Sequence, residues 1–173
     1  MQLEKETSYD FAVYGGKFKY VYITKDFVFK YLREPTDKKV YFKYYDLIKY
    51  GVSKGWRIAD CYGVSHEFGV LGVKCERIDG ITDHSSNIKY LPQFFLDKGR
   101  EFVDWYFETL HLLSGEDKDI FIYLHKDVHP RYENNKPLLQ YYNCGIKNNK
   151  IFTIDISIIK EEYDWHIKNP PRI

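Results

Sequence analysis

His125-Lys126-Asp127-Val128-His129-Pro130, followed after a polar insert by Asn143-Cys144-Gly145-Ile146 and then by Ile151-Phe152-Thr153-Ile154-Asp155, is the stretch whose reading decides the fold. It puts one Asp in a loop, an Asn ahead of a short hairpin, and a second Asp at the close of an apolar strand. The hairpin, turned at Lys147-Asn148-Asn149, folds Asn143 back beside Asp155. Two carboxylates and one amide oxygen are the polar set that phosphoryl transfer needs. Magnesium takes a few hard oxygens and keeps its waters, while a separate carboxylate orients a hydroxyl and accepts its proton. Read singly, Asp127 and Asp155 are also ordinary turn caps. His125, Asp127 and His129 alternate on an extended segment, which leaves a transition-metal triad as a further reading.

Working outward, Ile120 to Leu124 reads as a short apolar strand that delivers the Asp127 loop, and Glu133 to Pro137 as a polar excursion. The main helix spans Pro92 to Leu113, with Gly99 a weak point near its start, and Ser114 to Asp117 ends it. Nearer the N-terminus, Phe11 to Tyr22 reads as strand, glycine turn at Gly15-Gly16, strand, and Phe27 to Leu32 as a further strand. Tyr41, Tyr44, Tyr45, Ile48 and Val52 recur at helical steps between Lys39 and Lys54, and Gly55 sits where a C-cap belongs. Two more strands, Ile58 to Val64 and Phe68 to Cys75, flank a turn at Ser65-His66-Glu67. Asp83 to Asn87 is a connector, so residues 1–82 are expected as a sheet-plus-helix unit and 83–173 as a smaller unit carrying the loop and hairpin.

The chain has 173 residues and a formal charge of +1, with 17 Tyr and 12 Phe supplying much of its apolar surface. Aromatics bury large areas, so a substantial core is available despite few Leu or Met. Near-neutral charge carries no electrostatic footprint for DNA or RNA, and nucleic acid is not expected as a partner. The aromatic and lysine-rich Tyr41 to Tyr50 segment has helical spacing, which favours packing over base stacking. The three cysteines show neither a disulfide framework nor zinc-ligand spacing, in keeping with a reducing cytoplasm. No apolar run approaches the roughly 20 residues that cross a bilayer. A cytoplasmic protein without a membrane partner is the expectation.

Taken together, the loop from His125 to Pro130, Asn143 to Ile146, and Ile154-Asp155-Ile156-Ser157 resemble the catalytic loop and metal-binding Asp of the protein-kinase-like fold. The likeness is to aminoglycoside- and choline-type small-molecule kinases and to small kinase-like phage proteins. It implies an α+β, compact, minimal two-lobed fold: an N-terminal antiparallel sheet with one helix, and a truncated helical C-lobe. It also implies ATP and Mg2+ as ligands, with Asp127 orienting the acceptor and Asn143 and Asp155 on the metal. Lys30, in Phe27-Val28-Phe29-Lys30, takes the place of the lysine on the α- and β-phosphates, and Asp46 that of its acidic partner on the following helix. Gly15 and Gly16 take the place of the phosphate-covering turn, and Glu76-Arg77-Ile78-Asp79-Gly80 that of the hinge that meets adenine. By themselves, Lys30 also reads as a solvated edge lysine, Gly15-Gly16 as a plain type I′ turn, and Glu76 to Gly80 as a charged turn.

At the loop and the last Asp the chain departs from the family pattern in two places, besides carrying Asp46 where the family has Glu and fewer glycines than its phosphate-covering turn. Tyr132 stands where the family has its Asn, which leaves Asn134 and Asn135 as competitors of Asn143, and Ile156-Ser157 replaces Phe-Gly. The implied activity is transfer of the ATP γ-phosphate to a hydroxyl of a protein or small molecule. The alternative is a catalytically degenerate fold that binds or inhibits a host protein, as a phage effector does.

Overall fold

The computed structural model describes residues 12–15, 17–81 and 91–168. Strands β1 (Ala12–Gly15), β2 (Lys19–Ile23) and β3 (Phe27–Leu32) form an antiparallel meander. The β2–β3 turn is closed by the Thr24 hydroxyl, which accepts the Asp26 and Phe27 N–H groups. Helix α1 (Lys38–Ser53) follows, with the Asp37 carboxylate capping the Lys39 N–H at 2.9 Å and Gly55 taking a φ of 75° just beyond its end. Strands β4 (Cys61–Glu67) and β5 (Val70–Glu76) complete a five-stranded sheet of order β1-β2-β3-β5-β4.

The β4–β5 turn lies at Phe68-Gly69, not at the expected Ser65-His66-Glu67. Both turn residues have positive φ, 53° and 78°, the geometry of a two-residue hairpin loop that follows the sheet's twist. Strain at the non-glycine Phe68 is offset by its ring, which stacks on Tyr22 with centroids 4.8 Å apart and meets Phe29 edge-on. This register places Cys61 opposite Cys75 with sulfurs 3.1 Å apart, both as free thiols.

The second half consists of β6 (Asp79–Gly80), α2 (Gln93–Leu112), α3 (Gly115–Leu124), β7 (Arg131–Glu133), β8 (Lys136–Leu138), β9 (Cys144–Lys147), β10 (Lys150–Thr153) and α4 (Lys160–Lys168). The connector expected at Asp83 to Asn87, and with it the boundary after residue 82, lies outside the described residues.

Ile120 to Leu124 is the last part of helix α3, not a strand. A short apolar run carries no period that separates the two. Ser114 precedes the helix, and Glu116 and Asp117 occupy its first turn, where acidic side chains favour the helix dipole. Phe121 and Leu124, three residues apart, face the core. Gly99 lies inside α2 for a packing reason: a Cβ there would lie 2.2 Å from the Tyr141 hydroxyl, so the close approach of α2 to Tyr141 requires glycine. The polar excursion is the β7–β8 hairpin, with Asn134 and Asn135 both at positive φ in its turn.

One buried cluster runs from Leu32, Tyr44 and Ile48 through Phe102, Phe121 and Leu124 to Ile151 and Ile156, so sheet, helices and hairpin share a core. His125 lies inside it, fully buried. Its Nδ1 is 2.9 Å from the Phe121 carbonyl, and its ring packs on Trp105, Tyr106 and Phe121. Burial pushes its pKa down from 6.5 to about 4. Because the folded value is depressed, the contribution to stability is complete above the unfolded value. It is lost as pH falls from about 6.5 towards about 4, where only the unfolded chain gains the proton. Between about pH 7 and about pH 5 we expect about 2 kcal/mol to disappear from the urea-unfolding free energy. His125→Gln should flatten that slope; an identical pH dependence in the variant would show that another group is responsible.

Candidate functional site

Lys30 sits in the middle of β3 and is 3% exposed, so it is not a solvated edge lysine. Gly72 on β5 makes room for the strand at this point: a Cβ there would lie 2.4 Å from the Lys30 carbonyl oxygen. The Lys30 Nζ donates to the Ile154 carbonyl at 2.8 Å and lies 4.0 Å from the Asp155 carboxylate. The two thus meet at a cleft of about 360 Å3 between the inner face of the sheet and the residues that flank the β9–β10 hairpin, Tyr142 and Asn143 before it and Ile154 and Asp155 after it. Val21, Ile23, Val28, Ile78 and Ile154 supply its apolar walls, and Lys30, Asn143 and Asp155 its polar end.

Backbone bonds fix that end. Asn143 closes a 3-10 turn (Tyr141–Asn143), and its carbonyl accepts the Ile154 N–H at 3.0 Å, which ties it to the residue before Asp155. Its Nδ2 donates to the Asp127 carbonyl at 2.6 Å. A carbonyl only accepts, so the amide orientation is determined and Oδ1 is the atom available as a ligand. Asp127 lies in a second 3-10 turn (Lys126–Val128). Its carboxylate accepts from the Ser157 hydroxyl at 3.2 and 3.5 Å and is 7% exposed.

Asp127, Asn143 and Asp155, distant in sequence, are therefore joined within a few bonds. Asn143, not Asn134 or Asn135, is the asparagine at the cleft, since the other two form the tip of β7–β8. An anionic carboxylate and a neutral amide oxygen are hard donors that suit Mg2+, with water completing its octahedron.

Other expected positions differ. Asp46 is exposed on α1, whose buried face carries Tyr41, Tyr44, Ile48 and Gly51. Two residues from Tyr44 is about 200° around a helix, so Asp46 points away from the sheet and makes no pair with Lys30. The Glu76 side chain accepts the Asp60 N–H at 3.0 Å and pairs with Lys147 at 2.6 Å, so it braces the segment along the cleft. Gly15 ends β1 opposite Tyr20, and Gly16 lies outside the described residues. The His125, Asp127 and His129 triad does not form, because the His125 ring is enclosed in the core. Among the described residues no group of three His, Cys, Asp or Glu side chains is arranged to hold a metal ion. Among the described residues, too, no helix is long and apolar enough to cross a membrane.

Two charged residues that sequence reasoning did not single out stand at the centre. Lys19, on β2 and 5% exposed, sends its Nζ to Asp155 at 2.8 Å, Glu162 at 2.5 Å and the Ile156 carbonyl at 3.2 Å. Burial by itself would lower its pKa, but the Asp155 and Glu162 carboxylates outweigh that and raise it far above the usual lysine value. Glu162, on α4 and 2% exposed, also accepts the Ile158 N–H at 3.0 Å. The signal for Lys19 was strand alternation. It shares a strand face with Val21 and Ile23, which line the cleft.

No protein-family model matches the chain, and no curated protein or solved structure shows a significant match to it.

Proposed function

We propose that this chain is a kinase-like phosphotransferase that moves the ATP γ-phosphate to a hydroxyl. The observation that carries the reading is the meeting of Lys30, Asn143 and Asp155 at one end of a cleft whose lining elsewhere combines apolar Val21, Ile23, Val28 and Ile78 with charged Glu76 and Arg77. The apolar part suits a base, and a buried ammonium beside two oxygen donors suits a metal–triphosphate. In this reading Lys30 binds phosphate oxygens, Asn143 Oδ1 and Asp155 hold magnesium, and Asp127 orients the acceptor hydroxyl and accepts its proton. Magnesium, when bound, neutralises charge on the phosphate oxygens.

A second reading, a catalytically degenerate protein that acts as a binding or inhibitory module, draws support from one feature. The Asp127 carboxylate is covered and already bonded to Ser157, so it must turn before it can meet an acceptor.

Thermal unfolding with ATP, with and without Mg2+, tests the nucleotide reading. ATP–Mg2+ at about a hundred times its Kd should add about 2.7 kcal/mol of stability and raise Tm accordingly. Asp155→Ala should lose the part of that gain that depends on Mg2+. A Tm unmoved by ATP in either condition rejects the proposal and leaves the binding module ahead.

A further inference from the structure

We propose that Glu162 is a positioning residue for the cation site, acting through Lys19; this rests on the nucleotide reading above. The Lys19 ammonium lies against Asp155 and occupies part of the field that a divalent cation needs. Unopposed, it competes for that carboxylate and repels the metal. Glu162 contacts the same nitrogen, at 2.5 Å, and is itself buried. Its negative charge divides the ammonium between two carboxylates and offsets the repulsion, so that Asp155 can turn its charge toward a metal in the cleft.

The Glu162 carboxylate is held for this task by the segment that leads into its helix. One oxygen takes the Lys19 ammonium and the other accepts the Ile158 N–H just ahead of α4. The paired acid that the kinase resemblance places on the helix after β3 is therefore absent from α1, where Asp46 faces solvent, and the buried lysine–acid pair is made instead by β2 and α4. Seating of α4 on the sheet becomes a requirement for metal binding, although α4 carries no metal ligand itself.

The test is the Mg2+ concentration giving half of the Mg2+-dependent Tm rise at saturating ATP, measured for the full chain. Glu162→Gln keeps an acceptor for the Ile158 N–H but removes the charge, and should raise that concentration about tenfold. The Tm rise from ATP in EDTA should be unaffected. Adding Lys19→Met to Glu162→Gln should bring the half-saturating concentration back to the wild-type value or below it, a reversal that a merely structural role for Glu162 does not produce. An unchanged Mg2+ requirement in Glu162→Gln overturns the inference. So does a double variant needing more Mg2+ than wild type, which also decides the matter if the single variant fails to fold. A wild-type protein that ignores ATP altogether removes the underlying nucleotide reading, a result distinct from either of these.

Discussion

Lys19→Met should lower the unfolding free energy by about 3–5 kcal/mol, a large part of the stability of a domain this size. Lys19 is almost fully enclosed, and its partners Asp155 and Glu162 come from segments more than a hundred residues away in the chain. Removing the ammonium leaves the Glu162 carboxylate buried without a counter-charge, and that uncompensated charge, not the lost attraction, sets the size of the effect. The double variant Lys19→Met, Glu162→Gln should recover most of the loss, because it removes both charges together. Urea unfolding of the wild type, both single variants and the double variant forms a thermodynamic cycle. A single variant that loses less than about 1 kcal/mol, or a double variant no more stable than the single, shows that the pair does not carry this weight.

Asp127→Asn should reduce phosphate transfer by about a hundred- to ten-thousand-fold while leaving ATP-induced stabilisation in place. Asparagine is close to isosteric and keeps an acceptor for the Ser157 hydroxyl, and the Asp127 backbone carbonyl that orients Asn143 is untouched. Loss of turnover with retained binding therefore isolates the carboxylate's work on the acceptor. Turnover equal to wild type shows that Asp127 takes no part in the proton transfer. A wild-type protein that is stabilised by ATP–Mg2+ yet transfers no phosphate belongs with the second reading, in which the covered carboxylate never turns outward.

Several elements were legible in the sequence because local chemistry decides them. β3 was expected from Phe27 to Leu32 and occurs there, between a Lys-Asp turn and a Pro-containing loop. Helix α1 was expected from Lys39 to Lys54 and runs Lys38–Ser53, since its tyrosines and Ile48 keep helical spacing and Asp37 and Gly55 cap it. The β9–β10 hairpin turns at Asn148-Asn149, two residues that tolerate positive φ. The misses came where local chemistry is silent. Ile120 to Leu124 is apolar whichever element it forms, and packing against Trp56, Trp105 and Tyr106 around Phe121 makes it helical. Phe68 at a hairpin turn runs against its own backbone preference, and the compensation comes from Tyr22 and Phe29 on other strands.

The candidate site divides in the same way. Asp127, Asn143, Asp155 and Lys30 were singled out by residue type and order along the chain taken together with the resemblance to the kinase-like fold, and the hairpin between Asn and Asp and the lysine within an apolar strand are the local patterns that carry it. Which asparagine reaches the cleft, which acid meets a lysine, and whether the Asp127 carboxylate is open were decided only by the tertiary structure. A side chain's charge is written in the sequence, but its partner is whatever the folded chain brings within a few ångströms. Burial then makes that choice energetically decisive, because a charge removed from water must be matched where it lies. Lys19 and Glu162, ordinary surface residues by composition, became the buried pair beside Asp155 only when β2 and α4 closed on the same residue.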